Sequence, residues 1–333
     1  MSRDFPVILL ILLLSLPLCG QKGSSPVRNS EEDLYSWCAE FPLRDEETVH
    51  RKGKRLSRLV LGEKESVLLK PVASIVDPDG HLWVLGQGSG LLVRCDADAD
   101  GERELPVNMK ARYPSLVSLC LLPGSGILFT DSFLNGVYLY DPEKGQLRKF
   151  ITSTSLDQPT GIAWSPLNDE VWVVETGAHR ISVFDREGAL LRSFGERGND
   201  AGYFNYPTHI WIDASGLAYI VDAMNFRIQI FSPEGTFLSS FGKQGNTTGT
   251  LGRPKGIATD SEGNIYIADA LFHTVQIFSR EGDFLYYFGS QGSDREKFWM
   301  PAGIFIDQND RIYVSDSYNN RVQIFCKKTK AIQ

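Results

Sequence analysis

The sequence predicts an all-β fold: a six-bladed β-propeller in which an N-terminal strand closes the last blade. Three observations predict it. Six prolines fall in phase, at Pro71, Pro114, Pro159, Pro207, Pro254 and Pro301, with steps of 43, 45, 48, 47 and 47 residues. A second series, Gly86, Asp131, Glu175, Asp222, Asp269 and Asp316, follows each proline by 15 to 17 residues. The sixth unit stops after its third strand, while a strand-like segment stands ahead of the first unit. A period of ~40–50 residues with four short strands per unit is the signature of propeller blades.

Composition agrees. The 333 residues are 42% hydrophobic and 23% charged, enough to bury a core, and 31 glycines with 11% aromatics favour short strands joined by turns. A formal net charge of -7 argues against a partner recognised through phosphate neutralisation, so no nucleic acid is expected.

In chain order, residues 1–18 read as a signal peptide: Arg3, then an apolar run from Val7 to Leu18 that is too short to span a bilayer. The segment Leu16-Pro17-Leu18-Cys19-Gly20 resembles a bacterial lipobox, which makes Cys19 the lipidation site and the membrane a partner through that anchor. A simple secretory signal is the competing reading, since Leu18 and Asp4 both depart from the lipobox pattern. Either way the chain is expected to be exported to the cell envelope, periplasmic or membrane-anchored, or secreted. Residues 19–56 read as a tether, flexible at Gln21 to Pro26 and charged at Arg51 to Arg55, with a short helix from Glu31 to Phe41. Residues 57–327 hold the propeller and 328–333 a tail.

The orphan strand is expected at Arg58-Leu59-Val60-Leu61-Gly62, which looks like Phe237-Leu238-Ser239-Ser240-Phe241-Gly242 at the outer edge of blade 4. It would remove an exposed edge and tie the two ends of the domain together. Blade 5 shows the repeating unit most clearly: inner strand from Gly256, turn at Asp260 to Gly263, second strand Ile265 to Asp269, third strand Val275 to Phe278, and outer strand Phe284 to Phe288. With Cys19 set aside, Cys120 reads as a small core residue, and a bridge is open to Cys38 with Cys326 or to Cys95 with Cys326.

The runs from Asp222 to Phe231 and from Asp316 to Phe325, with the linker Phe241 to Gly245 and Leu251-Gly252-Arg253-Pro254, resemble the NHL repeat. The resemblance covers roughly residues 57 to 327 and implies a six-bladed propeller; blade 1 departs most, with Gly86 in place of the acid. Some NHL propellers sit on ubiquitin ligases, but the chain has no zinc-binding RING pattern, so ligase activity does not carry over. The peptidylglycine amidating lyases are NHL-like propellers with metal-binding histidines near the central channel. Here the inner-strand starts read Leu116, Gly161, His209, Gly256 and Gly303, with one histidine, so a three-histidine metal site does not carry over.

Two candidate sites follow. Asp96, Asp98, Asp100 and then Gly101, with Glu104 as the ninth residue, place alternate carboxylates around a tight bend and fit Ca²⁺; a solvated acidic turn is the competing reading. The second is the face shared by the blade-to-blade loops and the loops between second and third strands. It is expected to carry His179, His209, Met224, Phe226, Phe272, His273, Trp299 and Tyr318, which suits binding of a protein, peptide or glycan. Phe204 and Phe298 read instead as staples between blades, and the acid series as structural acceptors. No catalytic set emerges; a metal-dependent lyase or lactonase using the channel is the alternative.

Overall fold

The computed structural model describes residues 35–41, 68–96, 105–109 and 112–328. Strand β1 is Tyr35–Phe41. Blade 1 is β2 (Pro71–Val76), β3 (His81–Gly86), β4 (Leu91–Asp96) and β5 (Leu105–Asn108). Blade 2 is β6 (Leu116–Leu122), β7 (Gly126–Asp131), β8 (Gly136–Asp141) and β9 (Gln146–Lys149). Blade 3 is β10 (Pro159–Ser165), β11 (Glu170–Glu175), β12 (Arg180–Phe184) and β13 (Leu190–Phe194). Blade 4 is β14 (Pro207–Ile212), β15 (Ala218–Asp222), β16 (Arg227–Phe231) and β17 (Phe237–Phe241). Blade 5 is β18 (Pro254–Thr259), β19 (Ile265–Asp269), β20 (Thr274–Phe278) and β21 (Phe284–Phe288). Blade 6 takes β22 (Pro301–Ile306), β23 (Ile312–Asp316) and β24 (Arg321–Lys327) from the end of the chain and borrows β1 as its outer strand. Neighbours in every blade are antiparallel.

The core lies between blades rather than within one. Each second strand is buried on both faces, so β11 reads as the unbroken run Val171-Trp172-Val173-Val174. Val171 and Val173 pack toward blade 2 with Leu128, Leu139 and Phe150. Trp172 and Val174 pack toward blade 4 with Ile210, Ile220 and Phe231. A strand covered on both sides loses the alternation of a half-exposed one, which is why these strands are apolar throughout. The staples are as the sequence suggests. Phe204 and Phe298 are fully buried, and each starts a short parallel bridge to the preceding loop. Gly195 and Gly289 lie under their rings at positive φ; a Cβ there would come within 2.5 Å and 2.4 Å of ring carbons. Phe-Gly at the end of these two outer strands is therefore one half of a joint whose other half is the next blade's phenylalanine.

Two expectations need correction. The strand that closes the ring is β1, not Arg58 to Gly62, which falls outside the described residues; Glu31 to Phe41 is not a helix where described, and the presumed tether thus supplies part of the propeller. The pattern supports this physically: Tyr35, Trp37, Ala39 and Phe41 alternate with Ser36, Cys38 and Glu40, a period of two, with an irregularity at Cys38. Cys38 bridges Cys326 on β24 with Cα atoms 6.0 Å apart, which resolves the open pairing, and Cys95 and Cys120 are buried. Glu40 pairs at 2.8 Å with the buried Arg321, Arg295 stacks 4.0 Å over Trp37, and the Tyr35 hydroxyl bonds that of Tyr266 in blade 5. The second correction concerns phase. Leu116, not Pro114, stands opposite Asp131 as Pro159 stands opposite Glu175, so the blade 2 residue equivalent to Gly161 is Ser118.

Candidate functional site

The acid series forms the scaffold of the loop face. Asp131, Glu175, Asp222, Asp269 and Asp316 are fully buried. Asp269 accepts backbone N–H groups from Gly252, Arg253, Leu271 and Phe272, so one carboxylate orders both loops of its blade. Asp316 accepts from Trp299 N, Asn319 Nδ2 and Arg321 Nε, and Asp222 accepts from Asn205 N, Asn225 Nδ2 and Arg227 Nε. Burial pushes the Asp316 carboxyl upward, and the surrounding donors oppose it. Glu175 is held by Asp157 N, Arg180 and Ser182. A carboxylate so engaged is structural, and none of the five is free to act on a ligand.

His179 and His273 are spent on joints between blades rather than displayed on the loop face. Each sits in left-handed backbone and accepts, on Nδ1, the N–H of the residue before the next blade's proline: Tyr206 at 3.1 Å and Met300 at 3.0 Å. Asn135 and Asn320 make the same joint with Gln158 and Lys70, at 2.8 Å and 2.9 Å. The histidines thus stand where asparagine stands elsewhere, as acceptors between blades. Phe226 holds the equivalent left-handed position in blade 4 and is half-buried against the core between blades 4 and 5. Phe272 is also half-buried, its ring over Gly252, where a Cβ would approach to 2.9 Å.

What remains on the surface is apolar and periodic. Of fifteen exposed large hydrophobic residues among those described, nine belong to the loops of this one face: Leu69, Phe133, Leu134, Tyr203, Tyr206, Met224, Leu271, Trp299 and Tyr318. Four of them, Phe133, Met224, Leu271 and Tyr318, follow the blade's acid by two residues, and the same position is Gly88 in blade 1 and Gly177 in blade 3. That offset is a signal in the sequence, and it marks Phe133, the most exposed of the nine at 75%. Trp299 and Tyr318 lie 6.1 Å apart at 31°, and Lys70 stands 5.5 Å over the Tyr318 ring, forming a continuous patch between blades 6 and 1. Phe133 borders an open groove of about 530 Å³ with Pro114, Ser115, Asn135, Asp157 and Gln158.

His209 is not on that face. It is the third residue of β14 and lines a central channel cavity of about 270 Å³ walled by the six inner strands. Burial, with the charge of Lys255 nearby, pushes its pKa down to about 3, so the ring is neutral at ordinary pH. Its Nδ1 is buried without a hydrogen-bond partner among the described residues.

Of the residues expected to hold a cation, Asp96 ends β4, while Asp98, Asp100 and Glu104 lie outside the described residues, as does Cys19. Among the described residues, Asp77, Asp79 and His81 offer a further group of ligand atoms within 4.8 Å of one another. Asp77 is already engaged there by Asp79 N, His81 N and Trp83 Nε1. Asp213, Asp260 and Asp307 cap the corresponding turns of blades 4 to 6 in the same way, which makes this a turn device.

Comparison with known proteins agrees with the geometry. Residues 298–325, from the staple of blade 6 into its third strand, match the NHL repeat. The chain is 38% identical over 58 residues to E3 ubiquitin-protein ligase NHLRC1 of Homo sapiens, a match spanning 17% of this chain and 15% of that protein. Among solved structures, a streptogramin B lyase superposes with a TM-score of 0.59 at 13% identity, over 80% of this chain and 96% of the other. An auxiliary nutrient binding protein from Bacteroides thetaiotaomicron VPI-5482 superposes with a TM-score of 0.62 at 16% identity, over 78% of this chain and 70% of that one. At such identities these likenesses speak for the fold. The chain is a six-bladed β-propeller that carries an NHL repeat.

Proposed function

We propose that the chain is an exported propeller whose loop face binds a protein, peptide or glycan, held at the membrane where Cys19 carries a lipid. The observation that carries the binding reading is the grouping of nine exposed large apolar side chains on one face of a rigid ring. Contiguous apolar surface of this kind marks interaction sites, and aromatic anchors dominate their energetics. The scaffold beneath suits the task, because buried carboxylates fix the loops and leave little ordering to be done on binding. Export is supported by the apolar leader and by the Cys38–Cys326 bridge, since such bonds persist in oxidising compartments. The similarity to a nutrient binding protein is in keeping with a binding role.

Affinity capture from the cell-envelope extract with the mature domain tests it. Alanine at Phe133, Trp299 and Tyr318 together is expected to abolish capture, with the far-UV spectrum and melting temperature held. Undiminished capture by that variant would sink the reading. The alternative, a metal-dependent lyase or lactonase, rests on the unpartnered His209 Nδ1 in the channel. Stoichiometric zinc or iron in purified protein, lost on His209→Ala, would favour it.

A further inference from the structure

The loop face is apolar, but its charges are unevenly placed. One residue stands just ahead of each inner strand, at the loop-face end of the channel wall. In blade order these are Lys70, Ser115, Gln158, Tyr206, Arg253 and Met300. Two are cations and none is an acid. Lys70 and Arg253 are both exposed. Their backbones are fixed: Lys70 N donates to Asn320 Oδ1 and its carbonyl accepts Gln87 N, while Arg253 N donates to Asp269 Oδ1 and its carbonyl accepts Ala270 N. Neither side chain makes an ion pair or hydrogen bond with a described residue; the Lys70 ammonium lies over the Tyr318 ring. The other arginines of this face differ, since Arg180, Arg227 and Arg321 each hold the acid of their own blade. The chain has 41 acidic residues against 34 lysines and arginines, so carboxylates are not scarce, yet these two rim cations have none.

Blade 6 stands between them. A Cβ on Gly256 of blade 5 would meet Ile304 N, and one on Gly303 of blade 6 would meet Val72 O in blade 1, so blade 6 packs on both neighbours. It presents the exposed Trp299 and Tyr318. Leu69, next to Lys70, and Leu271, whose side chain would lie 3.1 Å from a Cβ on Gly252, extend the apolar surface to either side. The order across the stretch is thus cation, aliphatic, aromatic pair, aliphatic, cation. The acids beneath it do not offset the two charges, because Asp269 and Asp316 are fully buried and engaged by loop N–H groups. In the loop ahead of blade 6, Asp294 is paired with Lys297 and Glu296 accepts Trp37 N.

We infer that this stretch takes an acidic peptide segment: an aromatic or branched apolar side chain rests on Trp299 and Tyr318, and carboxylates on either side of it face Lys70 and Arg253. The inference rests on the loop-face reading and names the partner within it. A glycan fits less well, since Leu69 and Leu271 would strip water from its hydroxyls and return no hydrogen bond. An anionic bilayer fits less well too, because a segment held there by charge carries roughly four to eight lysines or arginines. Rim charges of this kind speed association and fix register, and salt weakens them.

Selection of a random-peptide display library on the whole mature protein tests this. Enriched peptides are expected to carry net negative charge, with acids flanking an aromatic or branched apolar residue. Lys70→Glu together with Arg253→Glu should weaken a selected peptide by roughly tenfold or more, the combined worth of two exposed charge pairs turned repulsive. Raising the ionic strength from about 0.05 M to about 0.5 M should weaken binding to wild type and not to the double variant. Enrichment of neutral or basic peptides, or of none, overturns the inference, as does full affinity in the double variant. Polygalacturonate fragments and phosphatidylglycerol vesicles are measured alongside, and tighter binding of either than of the selected peptides overturns it in favour of a glycan or a membrane. The charge of the enriched peptides is decided on wild type, so it stands even where the variant fails to fold. Neutral or basic peptides would leave the loop face a binding face and sink only its acidic partner; a face that enriches nothing and captures nothing from the envelope extract fails on both counts.

Discussion

At His273 a neutral ring nitrogen accepts the Met300 N–H, and burial lowers the ring's pKa from its ordinary 6.5 against the pull of Asp316 and Asp269. The unfolded chain therefore takes up the proton first as pH falls. The joint's contribution is whole above about pH 6.5 and is lost as pH drops from there through the lowered folded value. His273→Asn keeps an acceptor of the kind used at Asn135 and Asn320. Urea denaturation at pH 7 and pH 5 should show a smaller acid loss in that variant than in wild type. His273→Ala should cost about 1 kcal/mol at pH 7, the usual worth of one such bond. Arg321 is the heavier case. It is 2% exposed, pairs with both Asp316 and Glu40, and donates to the carbonyls of Asp294 and Lys297. Arg321→Met takes the cation from the buried Asp316, along with two carbonyl contacts, and about 3–5 kcal/mol should be lost. Arg227→Met in blade 4 should cost less, since that arginine has one carboxylate partner and is partly exposed. Chemical denaturation of the pair gives the ordering.

Among the elements, β1 answers for the ring's closure. Reduction frees it from its covalent tie, so dithiothreitol should lower the stability of wild type by about 2–4 kcal/mol, to the level of Cys38→Ser, and leave that variant unchanged. Denaturation with and without reductant measures this. The acidic loop after β4 gives a separate test. If Ca²⁺ is held there by Asp96, Asp98, Asp100 and Glu104, added calcium should raise the melting temperature and chelator lower it, and Asp98→Ala should remove the response. These two elements also show what could be read in advance. The period-two pattern of β1 lies in plain sight at Tyr35, Trp37, Ala39 and Phe41, but Leu59-Val60-Leu61-Gly62 copies the outer strand of a blade more closely. A borrowed strand need not resemble its equivalents, because its fit is set by β24 and by the Cys38 and Glu40 contacts.

Across the whole molecule, the blade count was legible because the blades draw on the same few solutions: a proline to begin in all but blade 2, an acid to order the loops in all but blade 1, and in several a glycine under the next blade's staple. The make-up of the loop face was legible only in part. Met224, Trp299 and Tyr318 are exposed as expected, whereas His179 and His273 are spent on joints, a role that depends on left-handed backbone and on a partner 27 residues away. His209 was visible as the odd residue among small ones.

The borrowing of β1 by blade 6 also sets an order of events. Cys38 leaves the ribosome 288 residues before its partner, so the ring stays open until the last strand is made. Cys95 and Cys120 emerge in the interval, and each must be enclosed in its own blade before it can capture the waiting thiol. A circularly permuted chain that begins at β2 and delivers Tyr35 to Phe41 directly after β24 would shorten that wait to a hairpin's length, and should reach the native disulfide with fewer mispaired intermediates.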